Sequence, residues 1–296
     1  MVSSSTAQEI TLRPPEPADT DDLARIVFEA FGDIHDYHRF QRDFPAIEAA
    51  AMMMSVWIPH PQVWGVVAEV GGKIVGSNFL DERDPIRGVG PITIDPHSQN
   101  AGVGRRLMDA VIDRGKDAPG IRLLQDGFHM RSLSLYTRLG FDAKAPCVVM
   151  QGEPRDAPAA GVDVRPLTED DLDECAALCK KVHGFERTGA LRDSFQGPIT
   201  PFAALRDGRI VAYASGVNFW PMSHGVAETD EDMQALLSGA ASQIDGPILL
   251  LVPLHSSLFR WALDQGLRVR FAWELRDIYI RFCPDEIHEW LVIEAL

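Results

Sequence analysis

Cysteine is scarce in this chain: four in 296 residues, at positions 147, 175, 179 and 283. They have neither the density of a disulfide framework nor the spacing of a zinc cluster, and read as core or surface thiols although Cys175 and Cys179 fall one helical turn apart. The nine histidines form no HExxH or finger pattern, so no metal is expected. No apolar run approaches the roughly 18 residues that a membrane span needs, and the opening MVSSSTAQEI has neither the basic nor the apolar region of a secretory leader. These absences predict a soluble, cytoplasmic protein with no membrane partner. Positive charge is short as well: 28 Lys and Arg face 43 Asp and Glu, a net charge of −15. That balance argues against a nucleic-acid partner, which calls for a basic patch. An anion would have to be held locally, and the less acidic half, residues 1–152 at −5 against −10 for the remainder, is the place to look.

What is present is a repeat. The segment from Gln151 to Gly161 is rich in Gly, Pro and Ala and aperiodic, which reads as a linker between domains at 1–152 and 162–296. Beyond it, VRPLTEDDLDECAALC from Val164 echoes LRPPEPADTDDLARIV from Leu12: a short strand ending in Arg-Pro, an acidic cap region, then a helix with apolar i, i+3, i+4 spacing. Two β-rich runs joined at Gly-Gly (Trp64 to Leu80) have a counterpart joined at Asp-Gly (Pro201 to Val217), a strong hairpin signal. SLYTRLGFDA (Ser134 to Ala143) is answered by FRWALDQGLRV (Phe259 to Val269), where a helix stops at glycine and a strand begins. The expected fold is a duplicated α/β unit, a mixed sheet flanked by helices, in the order β-α-α-β-β-β-α-β-α-β.

One turn carries chemistry. GPITIDP (Gly90 to Pro96) is a short β-rich run, QNAGVG (Gln99 to Gly104) follows, and RRLMDAVIDRG then shows an apolar helical face at Leu107, Ala110 and Val111. A glycine turn at a helix start leaves backbone N–H groups pointing outward at the positive end of the helix dipole, and Gly102 and Gly104 let an anion approach without a Cβ in the way. Arg105 and Arg106 add charge-assisted bonds. Leu107 stands where a GxGxxG fingerprint needs its last glycine, and no Gly-Lys-Ser/Thr follows for a P-loop.

The turn resembles motif A of the GNAT acetyltransferase superfamily, a [QR]-x-x-G-x-[GA] sequence matched by Gln99, Gly102 and Gly104. HMRSLSLYTRLGFDA resembles its motif B, about 30 residues on and in the right order. The resemblance implies two tandem GNAT-like domains, of which the first binds acetyl-CoA. It places the pantetheine on the backbone of Ile92, Thr93 and Ile94. The pyrophosphate falls on the turn Gln99, Asn100, Ala101, Gly102, Val103, Gly104, Arg105 and Arg106. Tyr136 matches the tyrosine that protonates the coenzyme A thiolate. His129 replaces the motif's cofactor-binding Asn, and Ser132 its small alanine.

The base for the acceptor amine is left open between Asp81 and Glu82, at the end of the hairpin, and the group Asp33, His35 and Asp36. With Phe31, that group in FGDIHDYHRF follows the first helix and is expected to line the acceptor pocket. The Met-rich AAAMMMSVW (Ala49 to Trp57) is helical core or a pliable pocket wall.

The second half carries HGVAETDEDMQALL (His224 to Leu237) at the matching point. It has no Gly-x-Gly, and Asp230, Glu231 and Asp232 at a helix start favour the helix dipole and repel phosphate. Its motif B helix offers Phe259 and Trp261 in place of a tyrosine. This copy is expected to be degenerate, either structural or a wall of the acceptor site. The apolar C-terminal stretch around Trp290 and Ile293 is expected to pack as a helix or strand.

The implied activity is an N-acetyltransferase moving an acetyl group to a small-molecule or peptide amine by direct attack, as a monomer or homodimer. Alternatives are a non-catalytic acyl-CoA sensor or scaffold, and a transferase with a longer donor or an oxygen acceptor.

Overall fold

The computed structural model describes residues 9–99, 102–156, 159–219, 224–270, 276–281 and 293–294. Backbone contacts divide the chain into two compact units, one of residues up to 82 with 87–121, the other of 83–86 with everything from 122 onward.

The first unit opens with a polar clamp. Arg13, ending β1 (Ile10–Arg13), forks onto the Asp19 carboxylate at 2.7 and 2.9 Å, and Asp19 accepts the Glu16 backbone N–H at 2.7 Å. The guanidinium holds the Asp19 carboxyl below its ordinary range. The clamp delivers the chain into α1 (Thr20–His38), and α2 (Ile47–Trp57) follows. Leu23, Ala24 and Val27 of α1 meet Ala50 and Met54 of α2 over Val67 and Phe79, one apolar face per helix. The Met-rich helix is therefore part core, while Met52 and Val56 on its other face are exposed.

Strands β2 (Val63–Val70) and β3 (Lys73–Asp81) form the expected hairpin, with Gly71 and Gly72 at φ 58° and 76°, the left-handed region that favours glycine. β1 pairs antiparallel with β2; β4 (Ile86–Val89) pairs with the end of β3, and β5 (Thr93–Ile94) with its middle. Then come α3 (Val103–Arg114), β6 (Gly120–Asp126), α4 (Met130–Arg138) and β7 (Asp142–Gly152).

The second half repeats the order: β8 (Asp163–Pro166), α5 (Leu172–His183), α6 (Gly189–Ser194), β9 (Phe202–Arg206), β10 (Arg209–Ala214), β11 (His224–Ala227), α7 (Asp230–Ala241), β12 (Ile248–Pro253), α8 (Ser257–Asp264) and β13 (Arg268–Val269), with β14 (Arg276–Arg281) and β15 (Ile293–Glu294) after it. The clamp recurs as well, with Arg165 on Asp171 at 2.8 Å through both nitrogens and Asp171 accepting the Thr168 N–H at 2.8 Å. The β9–β10 hairpin turns at Asp207 and Gly208, φ 51° and 76°, the same left-handed pair as at residues 71 and 72.

In this unit β15, β11, β10, β9 and β8 form one sheet, whose residues alternate between two cores. Phe202, Ala204 and Val211 pack with Met233, Leu236 and Leu237 of α7, whereas Ala203, Ile210 and Tyr213 pack with Cys175, Leu178 and Cys179 of α5. The cysteines here are core thiols; burial pushes the Cys175 thiol up to about 12.

The linker expected at 151–161 does not coincide with the division at 121. The physical reason is strand pairing: Cys147 to Gly152 of β7 pair with Pro253 to Ile248 of β12, and Asp142 to Cys147 with β14. Residues 83–86 join the second unit for a similar reason. Asp84 accepts the Gly189 N–H at 2.8 Å and Arg83 meets Asp193 at 2.9 Å. Gly189 must lack a side chain, since a Cβ there would lie 2.3 Å from the Arg83 carbonyl oxygen. Ile293 lies in β15, and residues 282–292, including Trp290 and Cys283, lie outside the described residues.

Candidate functional site

In the first unit β3 is a platform for the glycine turn. Ser77 pairs with Thr93 and Gly76 with Ile94, and a Cβ on Gly76 would come within 2.6 Å of the Thr93 carbonyl oxygen. Only glycine lets β5 lie this close. Gly76 was legible as a glycine interrupting a strand pattern, a signal for close backbone approach. The buried Asn78 amide sits beneath α3, its nitrogen 3.5 Å from the Leu107 carbonyl and its oxygen accepting the Phe79 N–H at 2.9 Å. Ile92 precedes β5 without joining a strand.

After β5 the chain makes a short turn at Pro96 to Ser98 and reaches Gln99; Asn100 and Ala101 lie outside the described residues. Gly102 is the residue before α3, at φ 82° and ψ 2°, a left-handed conformation natural to glycine. Glycine at this point has no side chain to cap the helix, and among the described residues a Cβ on Gly102 would meet nothing within 4 Å. The first helical bond recorded to this residue is Arg106 N–H to the Gly102 carbonyl at 3.2 Å. Helix geometry gives the N–H groups of Val103, Gly104 and Arg105 no acceptor within α3. Val103, Leu107, Met108 and Val111 anchor the helix in the core, while Arg105 and Arg106 are exposed, Arg105 lying 3.6 Å from Asp109.

The two hairpin-end carboxylates differ. Glu82 is enclosed by cations: Arg114 reaches its two oxygens at 3.0 and 2.7 Å and Arg87 lies at 2.7 Å. Asp81 closes β3 opposite Gly88.

The group FGDIHDYHRF does not follow the first helix but forms the last turns of α1, which runs on to His38 and stops at Arg39 in the left-handed region. Gly32 does not break it because it serves packing: a Cβ there would meet the Arg42 guanidinium at 2.9 Å. Phe31 packs edge-on against Phe44. His35 is fully buried, with Nδ1 2.7 Å from the Phe31 carbonyl, so that nitrogen carries the proton, and Nε2 3.7 Å from Asp43. Asp36 is exposed and paired with Arg42, whereas Asp33 is exposed on the same helix.

The second unit holds His129, Ser132 and Tyr136. His129 is the N-cap of α4, its Nδ1 accepting the Ser132 N–H at 3.3 Å, the task a shorter polar side chain performs at other helix starts. At the other end of α4, Phe141 N–H bonds the Tyr136 carbonyl at 3.1 Å, Gly140 N–H bonds Thr137 at 3.1 Å, and Gly140 sits at φ 86°. This is a Schellman stop, closed by contact between the Tyr136 and Phe141 rings. The sequence LYTRLGF is thus a helix terminus that fixes a tyrosine. Burial pushes the Tyr136 phenol up to about 12, opposed by the Ser132 hydroxyl and reinforced by Asp126.

The second copy has no counterpart of these groups at the matching points. Thr229 caps α7, its Oγ1 accepting the Asp232 N–H at 3.1 Å. Asp232 is fully buried and meets Arg206 at 2.6 Å. The Schellman stop of α8 matches that of α4, with Leu267 N–H to Ala262 at 2.9 Å and Gly266 N–H to Leu263 at 3.0 Å, so Ala262 stands where Tyr136 does.

Sequence reasoning missed a buried polar chain in this unit. Arg187 donates to His224 Nδ1 at 3.1 Å, and His224 Nε2 lies 3.0 Å from the Tyr213 hydroxyl. Because a guanidinium only donates, Nδ1 accepts and the proton is on Nε2. Burial, then Arg187 and His183, hold the His224 imidazole well below its ordinary pKa.

A glycine turn opening a helix beside a closely paired strand stands in one copy of an α/β unit that is built twice. Residues 24–141 match the model of the acetyltransferase (GNAT) family. The chain is 29% identical over 151 residues to a mycothiol acetyltransferase from Thermomonospora curvata, an alignment covering 49% of this chain and 48% of that one. It therefore spans about half the length of the curated relative it matches. Two solved structures share the fold over nearly the whole chain. A proposed acetyltransferase from Pyrococcus horikoshii superposes with a TM-score of 0.70 at 14% identity, covering 97% of this chain and 94% of that one. A tandem GNAT protein from the clavulanic acid biosynthesis pathway does so with a TM-score of 0.56 at 12% identity, covering 94% and 100%. The fold is accordingly two tandem GNAT-like halves. Among the described residues no helix is long and apolar enough to cross a membrane.

Proposed function

We propose that this protein is an N-acetyltransferase that uses acetyl-CoA and acetylates the primary amine of a small molecule by direct attack in a ternary complex. The observation that carries the reading is the start of α3, where the residue before the helix is a left-handed glycine with open space at its Cβ position and no side chain of its own to cap the helix. Those features fit a pyrophosphate, which needs free N–H groups, the helix dipole and room for its oxygens.

In this reading Val103, Gly104 and Arg105 supply N–H groups to the phosphates, Arg106 adds charge, and Gln99 with Asn100 and Ala101 shapes the approach. The Ile92, Thr93 and Ile94 backbone orients the pantetheine, with one N–H facing the thioester oxygen. His129 and Ser132, at the start of α4, complete the cofactor contacts. Bound acetyl-CoA supplies an electrophilic carbonyl and a thiol leaving group. Tyr136 gives its proton to the departing thiolate; its raised pKa keeps the phenol protonated across the physiological range.

Asp81 and Glu82 are the two hairpin carboxylates proposed to relieve the amine of its proton; Glu82 would have to leave two guanidinium groups to do so. Asp33 offers an exposed carboxylate to attract a cationic amine and Phe31 an apolar wall, while His35 and Asp36 act by holding Asp43 and Arg42. The catalytic machinery belongs to residues 1–152, and the copy at 162–296 binds no coenzyme A.

The test is calorimetric titration of acetyl-CoA into the wild-type protein and a folded Gly102→Glu, Gly104→Glu variant. One equivalent bound by the first and none by the second is expected, with acetyl release onto a panel of primary amines. A wild-type protein that binds nothing would overturn the reading; binding without turnover on any amine would leave only an acyl-CoA sensor.

A further inference from the structure

Helix α4 carries two serines, and their hydroxyls do different things. Ser134 donates to the Met130 carbonyl one turn back at 2.9 Å, the local bond usual for a serine inside a helix. Ser132 instead shares a side-chain hydrogen bond with the Tyr136 phenol. Helix geometry makes that meeting direct: residues four apart stand one above the other, and a long helical side chain leans back over the turn before its own. Both partners are held. The Ser132 N–H bonds the His129 Nδ1 at 3.3 Å, and the buried Tyr136 ring lies against Phe141, centroids 6.2 Å apart, at the Schellman stop. The hydroxyl is a departure of this chain, since the motif that the segment resembles has a small alanine there.

We propose that Ser132 is a positioning residue for the proton donor: its hydroxyl holds the Tyr136 phenol in place and donates to the phenolate oxygen that remains once the proton has gone to the thiolate. This rests on the reading of Tyr136 as the acid for the leaving thiol. In that step the thioester C–S bond breaks, the sulfur takes the Tyr136 proton, and the phenolate regains one from solvent. The phenolate is costly to form here. Burial opposes the charge and Asp126, itself buried, repels it, whereas the Ser132 bond favours it.

The experiment is a double-mutant cycle on Ser132 and Tyr136, read as kcat on an amine that the wild-type protein acetylates and as acetyl-CoA affinity by calorimetry, with circular dichroism on every variant. Ser132→Ala is expected to lower kcat roughly 10-fold, the order of one hydrogen bond to a charged group, and to move the affinity less than about threefold. Ser132→Thr, which keeps the hydroxyl, is expected to hold kcat within about threefold of wild type and serves if the alanine variant folds poorly. In the Tyr136→Phe background, Ser132→Ala is expected to cost less than about twofold, because no phenolate is left to receive the bond. Equal losses in both backgrounds, a threonine variant as slow as the alanine one, or a loss that falls on affinity instead of kcat would overturn the proposal while leaving the acetyl-transfer reading intact. A wild-type protein that acetylates no amine would overturn both.

Discussion

The start of α3 and the start of α7 occupy the same place in two copies of one fold, and they solve the same problem oppositely. Every helix begins with N–H groups that lack partners inside it. At α7 the chain answers them itself: Thr229 caps Asp232, and three acidic residues fill the first turn. At α3 the residue at the same place is a left-handed glycine, which has no side chain to answer them. A self-capped helix is more stable alone, and an uncapped one is ready for an external anion. In the proposed reading, a threonine and a few carboxylates at one helix start distinguish the copy without a cofactor site from the copy that has one, with no change of fold. The same contrast recurs at the other end of the motif, where equivalent Schellman stops present Tyr136 in one copy and Ala262 in the other.

The largest effect expected from breaking this contrast is at Tyr136. Tyr136→Phe keeps the ring that closes the helix end and removes only the proton donor, so kcat should fall about 100-fold while acetyl-CoA affinity stays within twofold. Steady-state kinetics beside calorimetry separates the two. A loss of affinity as large as the loss of kcat would mean that the tyrosine serves packing.

Next comes a pH effect confined to the second unit. His224 is buried and neutral, its pKa depressed when folded, so below the unfolded value of about 6.5 the unfolded chain binds a proton that the native one does not. Stability should accordingly fall as pH drops through that value, by up to about 1.4 kcal/mol per pH unit, and be insensitive to this group above it. Denaturant titrations between pH 5 and 8 measure this, and His224→Gln, which can still accept from Arg187 and donate to Tyr213, should flatten the acid limb.

A third test alters the strand platform. Gly76→Ala places a methyl 2.6 Å from the Thr93 carbonyl, against backbone that cannot rotate away, and should cost about 1–3 kcal/mol and displace β5. Thermal unfolding gives the cost, and weaker acetyl-CoA binding would report the displacement.

The repeat order, both hairpins and the glycine turn were legible because each rests on local chemistry: a left-handed pair at a two-residue turn, an Arg-Pro strand end, glycine at a helix start. Less was visible where long-range pairing decides. FGDIHDYHRF reads as a segment after the first helix because its apolar spacing is broken, yet Gly32 packs under Arg42 and the helix runs through it. A linker composition at 151–161 says nothing of β7, whose partners β12 and β14 lie about a hundred residues on. The Glu82 cage and the Arg187–His224–Tyr213 chain join residues that no short-range pattern connects.

The smallest expected effect sharpens the opening contrast most directly. Thr229→Ala removes the hydroxyl that answers the Asp232 N–H, and loss of an N-cap of this kind costs about 1 kcal/mol. No matching side chain exists at Gly102, so the equivalent α3 change, Gly102→Ala, acts through backbone strain at φ 82° instead of through a lost cap. The first variant should lower stability without any change in acetyl-CoA binding, measured by denaturant unfolding and calorimetry together. The second should lower both. If Thr229→Ala instead conferred measurable acetyl-CoA binding, the cap alone would have silenced the second copy. If it does not, the hydroxyl is not the sole cause, and the three carboxylates of the first turn and the missing glycine turn are the remaining differences from α3.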